Sequence, residues 1–154
     1  MFKINVVIEN SAWKSYIKDP SYFIKEKLTN INRKDKKNKN KKLSFTLLLS
    51  GNSEIKKLNK KFRKRNRTTD ILSFPFYKKE DLRSKIKKNN EVYLGDIIIN
   101  LYKIKQNKNL SDFKIRFNKL WIHGLVHLLG HDHKQDGDFN KMIKIENKLF
   151  SYLD

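Results

Sequence analysis

All four histidines of the chain fall within eleven residues, HGLVHLLGHDH, from His123 to His133. Three neutral imidazoles with one position left open form the donor set of a catalytic zinc, which lowers the pKa of bound water to about 7. The spacing suits that role. His123 and His127 are four apart, so on a helix both project from one face, one turn from each other. Gly130 follows His127 by three residues and can take the left-handed conformation that ends a helix. The chain can then turn back and bring His133 to the same ion. His131 is the rival third ligand, although it follows the turn immediately and has less room to swing back. Asp132 can bind the ion or orient an imidazole.

His123, His127, Gly130 and His133 have the spacing of the metzincin protease pattern H-E-x-x-H-x-x-G-x-x-H. In that pattern the residue after the first histidine is the glutamate base. Here it is Gly124, which accepts no proton, so the metal geometry is kept and the peptidase base is missing.

A second cluster, KKFRKRNR from Lys60 to Arg67, holds six basic residues among eight. Cations at a helix end complement its dipole, so the cluster could be only a solvated terminus. Beside a metal-activated water, though, arginine forks are suited to gripping phosphate. Arg63, Lys64, Arg65 and Arg67 are the candidate substrate contacts.

These clusters need elements to carry them. Lys3–Glu9 reads as a strand. Trp13, Ile17, Phe23, Ile24 and Leu28 have roughly helical spacing, with a start or kink at Pro20. Leu43–Ser50 reads as a buried strand. Ser53 can cap a helix over Glu54 to about Lys64, with Ile55, Leu58 and Phe62 inward. Asp70–Phe76 reads as a strand whose Pro75 belongs at an edge or an end. Glu91–Asn100 reads as a strand with Gly95 at a bulge or close approach. Ser111 and Asp112 can cap the histidine helix, which runs through Phe113, Phe117, Leu120, Trp121, Leu125 and Leu128. A last helix spans about Gly137–Tyr152, with Phe139, Ile143, Leu149 and Phe150 apolar. Arg33–Lys42 and Tyr77–Asn90 read as basic connectors. The order β-α-β-α-β-β-α-α predicts an α/β (α+β) fold: one domain over residues 1–154, a mixed sheet of about four strands packed with helices, and a metzincin-like histidine helix.

The composition narrows the setting. Lys and Arg number 36 against 16 Asp and Glu, a formal charge of +20 in 154 residues. Such a surplus favours a polyanionic partner, although a solvated lysine-rich surface has the same composition. There are no cysteines, which excludes disulfides, thiolate zinc sites and cysteine nucleophiles. No apolar run approaches a membrane span, and the first residues do not read as a secretory signal. The expected location is the cytoplasm, with no membrane partner.

Taken together, these residues resemble the YbeY family of metal-dependent endoribonucleases. The family's H-G-x-L-H-L-x-G-[HY]-D-H is matched at His123, Gly124, His127, Leu128, Gly130, His131, Asp132 and His133, with Val126 in place of the usual leucine. Its L-N-x-x-[YF]-R is matched by Leu58, Asn59, Phe62 and Arg63. Its P-T-D-V-L-S-F-P becomes Thr68 to Pro75, with Thr68 in place of the leading proline and Ile71 in place of the valine. L-G-D-I is matched by Leu94–Ile97, and M-x-x-x-E by Met142 and Glu146. The resemblance implies one zinc ion on His123, His127 and His133, and Arg63 as the functional arginine. It implies cleavage of single-stranded RNA in 16S rRNA 3′-end maturation and ribosome quality control, with the small ribosomal subunit as partner. His131 is a further catalytic candidate, since no other general base is evident. Two other readings compete: a different metallohydrolase such as a peptidase or amidase, which Gly124 disfavours, and a non-enzymatic RNA- or ribosome-binding assembly factor with a structural zinc.

Overall fold

The computed structural model describes residues 1–106, 109–134 and 136–154, and all of these except Asp136 at the side-chain level. Four strands, β1 (Phe2–Ile8), β2 (Lys42–Ser50), β3 (Ile71–Pro75) and β4 (Glu91–Asn100), form one sheet in the order β1-β2-β4-β3. β1, β2 and β4 are parallel, and β3 runs antiparallel on the edge beside β4. Pro75 is therefore both at an edge and at a strand end, where its missing N–H costs no ladder bond. The expected α/β class and four-stranded mixed sheet are what the molecule adopts.

The helices are α1 (Pro20–Lys34), α2 (Asn52–Arg63), α3 (Lys79–Lys88), a short α4 (Leu101–Ile104), α5 (Leu110–Leu128) and α6 (Asp136–Phe150). Pro20 opens α1, capped by Asp19, whose carboxylate accepts from the Tyr22 N–H at 2.9 Å. Trp13 lies ahead of α1 in a 3-10 turn (Ser11–Ser15). Buried, it donates its indole N–H to the Ser50 carbonyl at 2.9 Å and packs its ring on Phe113 and Phe117 of α5.

The sheet has two unlike faces. One buries Leu43, Phe45, Leu47, Leu49, Ile97 and Ile99 in the main core, together with α1, α5 and α6. On the other, α2 sets Ile55 against Leu72 and Ile98, with Leu48, Leu58 and Phe74 around them. α5 and α2 thus lie on opposite faces.

Several sequence expectations shift. Tyr77–Asn90 is not a plain connector, for it contains α3. That helix buries only Leu82 fully, so its apolar stripe is too thin to read from periodicity, while Glu80 and Asp81 at its start and lysines at its end match the dipole. The Arg33–Lys42 connector is shorter than expected, because Arg33 and Lys34 finish α1 and Lys42 opens β2. α2 begins from Gly51 with no side-chain cap, and Asn109 rather than Ser111 caps α5. Phe62, Phe139 and Ile143 are exposed, against the inward positions expected of them. The helices that carry them are covered on a narrower arc than the apolar pattern suggests.

Gly95 marks the bulge. Ser44 pairs with Tyr93 but Phe45 with Gly95, so one residue is extra. Its φ is +135°, and a Cβ there would lie 2.2 Å from the Phe74 carbonyl oxygen. No side chain fits that approach.

Candidate metal centre

α5 is the longest helix, and its last turn carries the site. Phe113, Phe117, Leu120, Trp121, Leu125 and Leu128 are all buried, as their spacing predicts. Trp121 donates its indole N–H to Asn118 at 2.9 Å, and Arg116 pairs with Asp70 at 3.2 Å, tying the helix to the start of β3. These contacts fix the helix's rotation, which leaves His123 and His127 half-buried on its remaining face. Gly124 faces the sheet: a Cβ there would sit 2.9–3.1 Å from three Ile97 side-chain atoms. The position where the protease pattern keeps its glutamate base is packed shut as well as chemically empty.

The helix ends as expected. Gly130 takes φ +88°, and its N–H donates to the His127 carbonyl at 2.9 Å. The chain then reverses, and His133 comes back over the helix end. Its ring centroid lies 5.4 Å from that of His127 and 6.3 Å from that of His123. Among the described residues, His127, Asp132 and His133 each offer a donor atom within 4.8 Å of the others, a group able to hold a metal ion. His123 joins through His127, with the two Nε2 atoms 3.1 Å apart. A tetrahedral ion with metal–nitrogen bonds of about 2.0–2.1 Å sets its ligand atoms roughly 3.3 Å apart, so the pair is spaced as two such ligands. His131 is not part of this group. Burial, and then the charges of Lys141, Lys79 and Lys37, push its pKa down.

The electrostatics suit a cation. His127 is pushed down to about 4, first by burial and then by the charge of His123. It is therefore neutral at pH 7, the form that ligates. Burial pulls Asp132 upward, but the His133 N–H at 2.7 Å and the Lys134 charge outweigh it and hold the carboxyl below its ordinary range. Glu146 of α6 lies 2.7 Å from Nδ1 of His123. A proton on Nδ1, donated to Glu146, leaves the His123 Nε2 lone pair turned toward His127. The sequence pattern contains Glu146 but does not reveal this pairing. The available signal was its place one turn after Met142, whose burial docks α6 on the core.

The basic cluster is built elsewhere. Arg63 ends α2, donates from Nη2 to the Ser73 carbonyl of edge strand β3 at 2.7 Å, and lies 5.5 Å over the Phe74 ring. Lys64 takes the left-handed φ of 57° that stops the helix. Arg65 donates its backbone N–H to the Asn59 carbonyl, and the carbonyl of Arg67 accepts from the Asn59 side chain, so buried Asn59 organises the turn. The side chains of Arg63, Lys64, Arg65 and Arg67 stay exposed. The polar contacts of Arg63 are to β3, not to a histidine.

Known proteins resemble the chain in sequence and in fold. Residues 7–154 match the family described as "Endoribonuclease YbeY". A Pelagibacter ubique protein, "Endoribonuclease YbeY", is 45% identical over 99% of this chain and 97% of its own length. A Thermodesulfovibrio yellowstonii protein of the same description is 37% identical over 72% of this chain and 67% of its own. The solution structure of a Thermotoga maritima protein covers 99% of this chain and 89% of its own, with a TM-score of 0.60 at 25% identity.

Proposed function

Since the chain belongs to the YbeY endoribonuclease family, we propose that it is a metal-dependent endoribonuclease that cuts single-stranded RNA. Within that reading, the substrate is the 3′ end of 16S rRNA during maturation and quality control of the small ribosomal subunit in the cytoplasm. The observation that carries the proposal is the meeting of His127 with His133, Asp132 and His123 at the end of α5. His123, His127 and His133 are the proposed ligands, and the imidazole-rich donor set favours a single zinc ion. Such an ion, when bound, supplies Lewis acidity and activates water.

The remaining work falls to the chain itself. Glu146 holds the His123 proton at Nδ1 and so fixes the ring's orientation. Arg63, held by the Ser73 carbonyl, keeps guanidinium N–H groups for a phosphate oxygen and the charge that develops on it. Lys64, Arg65 and Arg67 hold the strand by charge, so binding should weaken steeply with salt. His131 is the remaining candidate for moving a proton at the leaving oxygen.

The test is cleavage of a labelled single-stranded fragment of the rRNA 3′ end by zinc-loaded protein. His123→Ala and Arg63→Ala proteins, purified identically, serve as controls. Loss of cleavage in both supports the reading, and equal cleavage by all three refutes it by exposing a contaminating nuclease. One observation favours a second reading, a non-enzymatic RNA-binding assembly factor with structural zinc: Asp132 lies in the donor group and could fill the open position. A zinc shell without exchangeable water would support that alternative.

A further inference from the structure

α2 covers only part of its face of the sheet. Beyond Ile55 and Leu58 the face lies open, and its surface there is aromatic. Phe74 of β3 meets Phe62 of α2, with ring centroids 5.4 Å apart. Phe76 continues the β3 pairing by donating its N–H to the Leu94 carbonyl at 2.9 Å. It therefore shares a face with Phe74, two residues away, and its ring stands edge-on to Tyr93 at 5.9 Å. Phe62 is 57% exposed and Phe76 65% exposed. Phe74 and Tyr93, partly buried, form the floor that holds them. Tyr93 is fixed by hydrogen bonds to Thr46 and Asp96.

Cations border these rings. The ammonium of Lys61 lies 5.2 Å from the Phe62 centroid, and the guanidinium of Arg63 lies 5.5 Å from that of Phe74. An acidic side chain, Asp96, lies beside the rings and accepts from the Tyr93 hydroxyl. Exposed rings flanked by positive charge are suited to bases that stack while their phosphates meet cations.

Resting on the nuclease reading above, we propose that Phe62 and Phe76, supported by Phe74 and Tyr93, form a stacking platform for unpaired bases of an RNA strand. Lys61 and Arg63 take the phosphates between those bases. Selection for single strands then comes from the rings, since paired bases in a helix keep their faces covered.

The test is binding of a fluorescently labelled ten-nucleotide oligoadenylate to the full chain, by anisotropy, with chelator present so that nothing is cut. Phe62→Leu and Phe76→Leu keep apolar bulk and remove the ring. Each is expected to weaken binding about 5- to 100-fold, with the salt slope unchanged. Phe62→Trp should bind as tightly as the parent. Tyr22→Leu, an exposed aromatic on α1, should have no effect, and a ten-unit abasic strand should bind parent and Leu variants alike. Parent-like affinity in both Leu variants, or equal affinity of the parent for abasic and base-bearing strands, overturns the platform. If zinc-loaded parent protein then cleaves RNA, the nuclease reading stands without the platform. If ring-dependent binding holds and the parent never cleaves, the platform stands and the nuclease reading fails.

Discussion

The C-terminal ends of α5 and α2 carry the two clusters of chemistry, and they are built in opposite ways. The end of α5 is gripped by the sheet, α6 and a returning loop, and Glu146, distant in sequence, lies against His123. The end of α2 is held by the Asn59 turn, by the Arg63–Ser73 contact and by Phe62 on Phe74, and its charges face solvent. A site that must hold an ion needs several donors fixed to a fraction of an ångström, which only packing supplies. A surface that holds a flexible polyanion needs charge and rings within reach, and tolerates looseness. Substitutions at the first end should therefore act on metal binding and stability, and those at the second on RNA affinity.

The largest expected effect is that of His127→Ala. Zinc measured after dialysis should fall to background, and RNA cleavage should drop by at least about 1,000-fold, several kcal/mol of lost Lewis-acid stabilisation. Retained stoichiometric zinc would break the contrast between the two ends. Next is Gly95→Ala, which forces a Cβ onto the Phe74 carbonyl. A loss of about 2–3 kcal/mol in urea unfolding is expected, damaging both regions because the bulge lies between them. Glu146→Gln should weaken zinc affinity about 10- to 100-fold in competition with a chromogenic chelator, with the fold intact.

Effects at the α2 end should be smaller and of a different kind. Arg63→Lys keeps the charge but loses the planar fork over Phe74. RNA cleavage should fall about tenfold while zinc content and melting temperature hold. The smallest effect should be a gain. Lys64 sits at φ 57° without being glycine, so Lys64→Gly should raise stability by about 0.5–1 kcal/mol, read as a small increase in melting temperature.

Much of the candidate metal centre was legible before any fold was known, because α5 is a long helix with a broad apolar arc. Six apolar side chains at helical spacing fix which face turns inward, and the four-residue interval of His123 and His127 follows from helix geometry alone. Gly130 announced the reversal through its conformational freedom. Residues read less well wherever burial depended on a partner element. Phe62 and Phe139 continue apolar stripes but stay about half exposed. α3 was lost among lysines because a helix anchored mainly by Leu82 has almost no period to detect. The cap of α5 lies at Asn109 rather than Ser111 because the helix starts two residues earlier, and Asn109 accepts from the Asp112 N–H.

By itself, then, the sequence determined the clustering of the imidazoles, the missing protease base, the positive charge and the α/β class. The charge depends on composition alone, and the histidine spacing on one helix and the turn that ends it, where backbone geometry leaves little choice. Only the tertiary structure decided that Glu146 orients His123, that Asp132 enters the donor group, that Gly124 is packed against Ile97, and that α2 lies on the face opposite α5. Those outcomes depend on which surfaces meet across the sheet, and burial of the whole core settles that at once, beyond the reach of any local pattern.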